Sequence, residues 1–121
     1  MKMNEIMWEA VKDQWKNGVD RLCEIYEKDP RYTVIKKIEN GELMGFGVFH
    51  DEGNCRILDG VYSFGQDKTW FLKAYREAMR GVSWARTGVV EPRMMKFFEK
   101  CGFKQIFLDG VSAYYEKGGM N

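Results

Sequence analysis

The sequence predicts one α+β domain over residues 1–121: a mixed, mostly antiparallel sheet of about six strands with helices on both faces. Three observations predict it. The apolar period is helical as far as Tyr26 and changes to that of strands from Tyr32. Turn signals at Asn40-Gly41, Asp51-Glu52-Gly53-Asn54 and Asp109-Gly110 cut the strand-like runs to hairpin length. Two further helical patterns, each followed by a strand-like run, interrupt that series.

Element by element, Ile6, Trp8, Val11 and Trp15 recur at three- and four-residue spacing and predict a first helix. Asn17-Gly18 interrupts it, and Val19, Leu22, Cys23, Ile25 and Tyr26 continue as a second short helix that Asp29-Pro30 stops. Tyr32 to Glu39 is rich in β-branched residues. Met44, Phe46 and Val48 then alternate with Gly45 and Gly47, the pattern of a strand approached closely on one side. Cys55 to Phe64 reads as a third strand, with Asp59-Gly60 as a bulge. From about Asp67 to Arg80, apolar pairs repeat every four residues, with Asp67 suited to the N-cap and Gly81 to the C′ position. Val82 to Arg86 is a short strand. Glu91-Pro92 opens a helix with proline at N1, and Cys101-Gly102 closes it. Phe103 to Leu108 and Val111 to Glu116 form the last hairpin, and Lys117 to Asn121 reads as a loose tail.

Composition bounds the function. The chain is 45% hydrophobic, 31% charged and 15% aromatic, enough apolar material for a core built on large rings. Its 19 basic and 18 acidic residues are interspersed and leave a net charge of +1, with no basic stripe of the kind nucleic acid selects. Cys23, Cys55 and Cys101 form no C-x-x-C pair and make no disulfide framework, which fits a reducing cytoplasm. No run is apolar enough for a signal peptide or a membrane span. His50, the only histidine, is read as an exposed turn residue beside Asp51-Glu52-Gly53. One histidine leaves neither a metal cluster nor a Ser/His/Asp set.

The run Arg93-Met94-Met95-Lys96-Phe97-Phe98-Glu99-Lys100-Cys101-Gly102-Phe103 resembles the fourth-helix signature of the GNAT superfamily of N-acetyltransferases. There an amphipathic helix ends in an aromatic residue, Glu-Lys, any residue, then Gly-Phe, and the phenylalanine begins the next strand in the core. Element order from about Tyr32 to Glu116 is similar to that family as well. The segment Val82 to Tyr115 is similar in layout to short GNAT-like proteins of tailed bacteriophages, among them an internal virion protein of podoviruses.

The resemblance implies acetyl-CoA as cofactor, its diphosphate held on backbone N–H groups at the start of the helix after the third predicted strand. In this chain that stretch is Gly65-Gln66-Asp67-Lys68-Thr69-Trp70, which makes Gly65, Gln66, Lys68 and Thr69 the cofactor-binding candidates. Only one glycine is present, and an N-capping Asp67 would occupy the amides and repel phosphate, a loss that Lys68 offsets in part. The family's fourth-helix tyrosine, which protonates the departing thiolate, is replaced by Phe98, which has no proton to give. Seven residues earlier, Glu91 stands where the family often has asparagine. It is a candidate general base, or simply an acidic N-cap before Pro92. Tyr62 is the candidate phenol from elsewhere, with Tyr114 and Tyr115 behind it. The resemblance also implies that Cys55–Phe64 and Val82–Arg86 splay apart to admit the acyl-pantetheine, whose carbonyl meets a backbone amide near a bulge such as Asp59-Gly60.

Two readings follow. One is an acyl-CoA-dependent N-acetyltransferase with an atypical phosphate loop, acting on a small-molecule or protein amine. The other is a GNAT fold that has lost catalysis and serves as a structural or host-factor-binding module, for instance of a bacteriophage. Such a module is cytoplasmic in a bacterial or infected cell or associated with a virion, and rings such as Trp8, Trp15 and Trp70 are available for a protein partner or a homodimer.

Overall fold

A computed structural model describes residues 16–63 and 68–119. Helix α1 covers residues 16–28. Strands β1 (Tyr32–Glu39), β2 (Glu42–Glu52) and β3 (Cys55–Ser63) follow, then α2 (Lys68–Ala78), β4 (Trp84–Val89), α3 (Pro92–Lys100), β5 (Lys104–Asp109) and β6 (Ser112–Gly118). The six strands form one sheet in the order β1-β2-β3-β4-β6-β5. Every neighbouring pair is antiparallel except β3 and β4. The predicted α+β class and six-stranded, mostly antiparallel sheet are therefore observed.

Local chemistry places the turns. Asn40 and Gly41 both take positive φ (53° and 76°), the two left-handed positions of the tightest hairpin turn, which asparagine and glycine accept at least cost. Pro92 occupies the first turn of α3, where its missing N–H costs nothing. At the other end Gly102 (φ 94°) reverses the chain, and the Phe103 amide donates to the Phe98 carbonyl at 3.0 Å.

The helices cover opposite faces on different halves of the sheet. On one face Val19 and Cys23 of α1 pack with Phe46 and Val48 of β2, and Phe46 is fully buried. On the other, Phe98 of α3 and Phe103 pack over Ala85 and Val89 of β4 and Ala113 and Tyr115 of β6. Tyr115 is buried to 1% exposure, and its hydroxyl donates to Glu99 Oε1 at 2.9 Å, so the ring is held in the core while its polar tip has a partner.

Three boundaries differ from the sequence reading. Asn17 and Gly18 are helical, part of α1 rather than a break: burial of Val19 and Cys23 outweighs the roughly 1 kcal/mol that a helical glycine costs. The strand read over Val82–Arg86 runs instead from Trp84 to Val89, because pairing with β6 continues to Val89 opposite Ala113. The tail read as loose is in part ordered, with Lys117 and Gly118 paired to Ala85 and Trp84. The first predicted helix, with Trp8 and Trp15, lies outside the described residues.

Candidate active site

Strands β3 and β4 pair over three residues only, Arg56 with Ala85, Ile57 with Arg86 and Leu58 with Thr87. Beyond Leu58 the edge of β3 that faces β4 has no strand partner among the described residues. A bulge sits at the parting. Val48 of β2 pairs with Gly60 and Phe49 with Leu58, which leaves Asp59 as the extra residue of β3. This is the predicted Asp59-Gly60 bulge.

Helix α2 completes the geometry. The Arg56 guanidinium donates to the Ala78 carbonyl at 2.8 Å, so the helix ends at the closed end of the seam. Its start therefore lies at the open end, as a βαβ crossover between parallel strands demands, and a helix start there favours a negatively charged ligand.

The parting opens a cavity of about 260 Å³ that cuts through the sheet. Phe49, Leu58 and Val61 line it from the strands, Phe71, Ala74, Tyr75 and Ala78 from α2, and Met94 and Phe98 from α3. Gly47, Gly60 and Gly88 lower its walls. Gly88 is the tightest of these: a Cβ there would stand 3.1 Å from the Tyr114 ring. The lining is mostly apolar with a few polar groups at its margins, as a small-molecule site requires.

Two of the sequence candidates meet here. Tyr62 and Glu91 both line the cavity, Tyr62 from β3 with its ring stacked on Phe46 (centroids 4.9 Å apart, planes at 29°) and Glu91 from the residue before α3. Glu91 occupies the N-cap position, with extended φ and ψ of −92° and 127°, yet its carboxylate makes no capping hydrogen bond. Its backbone carbonyl accepts from Met94 and Met95, both at 3.1 Å. The acidic N-cap alternative therefore holds for position and not for side-chain bonding. Of the cofactor candidates, Gly65 and Gln66, like Asp67, lie outside the described residues. Lys68 opens α2, and Thr69 is exposed in its first turn. Tyr114 lies on the surface against Phe107, and Tyr115 is occupied with Glu99. Phe98, where the resemblance expects a phenol, lines the cavity.

His50 is not an exposed turn residue. It lies within β2 with 18% of its side chain exposed, because the strand continues two residues past it to Glu52. Its Nδ1 is 2.6 Å from Asp59 Oδ2 and its Nε2 is 3.0 Å from Glu52 Oε1. Those two carboxylates raise the imidazole above its usual range, Asp59 most, against the opposing effect of burial. Asp59, equally buried, is pushed up by burial more than His50 pulls it down. Tyr32 packs edge-on against the imidazole at 5.2 Å, and the Tyr26 phenol is raised by burial and then by Tyr62 and Asp59. The sequence reading took Asp59 only as a bulge residue. Hairpin arithmetic about Asp51-Glu52-Gly53-Asn54 pairs His50 with Ile57, and only the bulge brings Asp59 to the imidazole.

No family model matches the sequence, and no curated protein matches it. Solved structures do. The chain is similar to the PaiA N-acetyltransferase of Thermoplasma acidophilum in complex with coenzyme A, at 22% identity over 74% of this chain and 62% of that one, with a TM-score of 0.58. It is similar to the ribosomal-protein-S18-alanine N-acetyltransferase of Escherichia coli at 15% identity over 74% and 68% of the two chains, TM-score 0.57. It is similar to the Campylobacter jejuni N-acetyltransferase PseH in complex with acetyl coenzyme A at 13% over 83% and 77%, TM-score 0.58. The fold is that of the GNAT acetyltransferases. The chain spans less than two thirds of the PaiA protein's length. At these identities it is the fold alone that is shared.

Proposed function

We propose that this GNAT-fold chain is an acyl-CoA-dependent N-acyltransferase that takes the acyl-pantetheine arm of acetyl-CoA into the cavity between β3 and β4 and transfers the acyl group to an amine. One observation carries the reading: two parallel strands that pair for three residues and then separate around an apolar cavity, with a helix start at its mouth. The residues present fit that arm. Phe71, Ala74, Ala78 and Met94 offer an apolar lining, the glycines keep the walls low, and the bulged edge of β3 leaves peptide groups without a strand partner for a polar carbonyl to meet.

The thioester supplies an acyl carbonyl activated by its sulfur leaving group. As the amine nitrogen bonds to that carbon the C–S bond breaks, one amine proton passes to a base and the thiolate gains a proton. Tyr62, on the cavity wall, is assigned the thiolate's proton in place of Phe98. Glu91, on the rim and free of a capping bond, is one candidate for the amine's. Gly65, Gln66, Lys68 and Thr69 are assigned to the diphosphate.

Thermal melting with acetyl-CoA tests this. At a hundred times its Kd the ligand adds roughly 2.7 kcal/mol of apparent stability. Ala74→Trp, which fills the cavity from its α2 wall, is expected to abolish that gain. A melting temperature unmoved at millimolar acetyl-CoA refutes the reading.

A second reading has its own observation. Ile106, Phe107, Leu108, Val111 and Tyr114 of the β5–β6 hairpin are 40–78% exposed, an apolar surface of the kind a protein partner covers. With Phe98 lacking a proton and a single glycine in the phosphate stretch, this favours a non-catalytic GNAT-fold module, such as a bacteriophage structural or host-factor-binding protein. A chain that ignores acetyl-CoA yet self-associates or captures a partner through that hairpin fits this reading and not the first.

A further inference from the structure

If the cavity is an acyltransfer site, as proposed above, one group of this chain must receive the proton that the amine sheds. One carboxylate, Glu91, lines the cavity, and a second, Asp59, stands between two residues that do. Glu91 is exposed on the rim, and no capping bond orients it. Asp59 is different. It is the extra residue of the bulge at which β3 and β4 part, it lies between Leu58 and Gly60, which both line the cavity, and its side chain is only 18% exposed. A bulge re-aims the side chain it carries, and such bulges cluster beside active sites.

We propose that Asp59 is the proton acceptor for the amine and that His50 is the residue that positions it. The geometry assigns the two roles. Each imidazole nitrogen faces a carboxylate oxygen, Nδ1 that of Asp59 and Nε2 that of Glu52, an arrangement that favours the protonated ring, which donates to both. An imidazolium has no lone pair left to take a proton and is not itself the base. Its bond ties up Asp59 Oδ2 and leaves Oδ1 for the substrate. The proton moves from the amine nitrogen to Oδ1 as the C–N bond forms and the C–S bond breaks, and afterwards passes to water.

The surrounding groups suit a basic amine. Asp59 and Glu52 against one imidazolium leave a net negative site, and Tyr32 from β1, Tyr26 from α1 and Tyr62 from β3 wall it with rings. Arg86 of β4, a cation on the other half of the sheet, is taken by Glu116 of β6 at 2.6 Å. The amine therefore approaches from the α1 face, opposite to the helix α2 wall of the cavity. Burial lifts the Asp59 carboxyl above the usual carboxylate range, in the direction a general base at neutral pH needs.

The test measures thiol release from acetyl-CoA with butylamine as acceptor, across pH, in parallel with melting. Asp59→Asn is expected to lower kcat/KM by about 10²- to 10⁴-fold while keeping the acetyl-CoA melting shift. His50→Gln is expected to keep that shift and to move the acid limb of the kcat/KM profile to higher pH, because the cation that lowers the Asp59 pKa is gone. A purely structural His50 would leave the limb where it is. The proposal is overturned if Asp59→Asn stays within threefold of the parent, if the limb does not move, or if Glu91→Gln carries the whole loss. Should Asp59→Asn fail to fold, the His50→Gln profile decides alone. A parent chain with neither melting shift nor thiol release refutes the acyltransfer reading itself, and one that binds acetyl-CoA but releases no thiol to butylamine refutes the proton acceptor.

Discussion

At its closed end the seam between β3 and β4 is locked by polar groups from four elements. The Arg56 guanidinium is held by both oxygens of Asp51 at 2.8 and 3.0 Å, reaches the last turn of α2 and lies 4.2 Å over the Phe49 ring. Beside it the buried Thr87 hydroxyl donates to the Leu58 carbonyl at 3.1 Å. A few residues further along the same two strands, no such lock is present among the described residues: the ladder stops, a bulge turns Asp59 toward His50, and the walls are glycines and rings. The closed end spends its side chains on holding the strands together, whereas the open end leaves both side chains and peptide groups available. A rigid hinge next to an unpaired gap keeps a ligand site in register without filling it.

Substitutions at the two ends sharpen that contrast. The largest effect is expected at the support of the open wall: Phe46→Ala removes a fully buried ring stacked on Tyr62 and costs about 3–5 kcal/mol of stability by denaturant unfolding. Retention of full stability would mean that Tyr62 and α1 do not rest on it. At the closed end Arg56→Ala is expected to cost roughly 1.5–3 kcal/mol, since it removes charge-assisted bonds and leaves the Ala78 carbonyl without that donor. Thr87→Val, which keeps shape and deletes one buried bond, is expected to cost about 1 kcal/mol. A loss as large as that of Phe46→Ala would show the seam, not the core, to be the weak point.

The smallest effect is a pH dependence confined to the open end. The folded-state His50 pKa is raised above its ordinary 6.5, so its contribution to stability is complete below that value and is lost as pH rises through the folded one. Urea midpoints followed upward from pH 6.5 are expected to fall in the parent and to flatten in His50→Gln. A parent profile identical to that variant's would mean the imidazole has no carboxylate partners in solution.

What the sequence made visible was what short stretches determine by themselves. Asn40-Gly41, the Asp59-Gly60 bulge, Pro92 and Gly102 are each set by backbone preferences of one or two residues, and each is where it was expected. Strand β4 was ended too early because Gly88 carries little strand preference of its own, and the pairing of Thr87, Gly88 and Val89 is decided by β6, far along the chain. The candidate site divided in the same way. Tyr62 and Glu91 were found by residue type and both reach the cavity. His50 was misread because Asp59 reaches it only across a hairpin whose register the bulge shifts, although its other partner, Glu52, stands two residues along the same strand. Gly65, Gln66 and Asp67 fall outside the described residues.

Strand β5 ends the sheet, and all six of its residues are exposed, with Ile106, Phe107 and Leu108 in succession. A bare ribbon rim of this kind is adhesive: its outward amides and carbonyls can template one more strand, and its side chains reward whatever docks. With a formal charge of only +1, the chain has little long-range repulsion to keep copies apart. This rim, separated from the cleft by β4 and β6, therefore favours association between copies, and a lysine in place of Phe107 is expected to improve solubility.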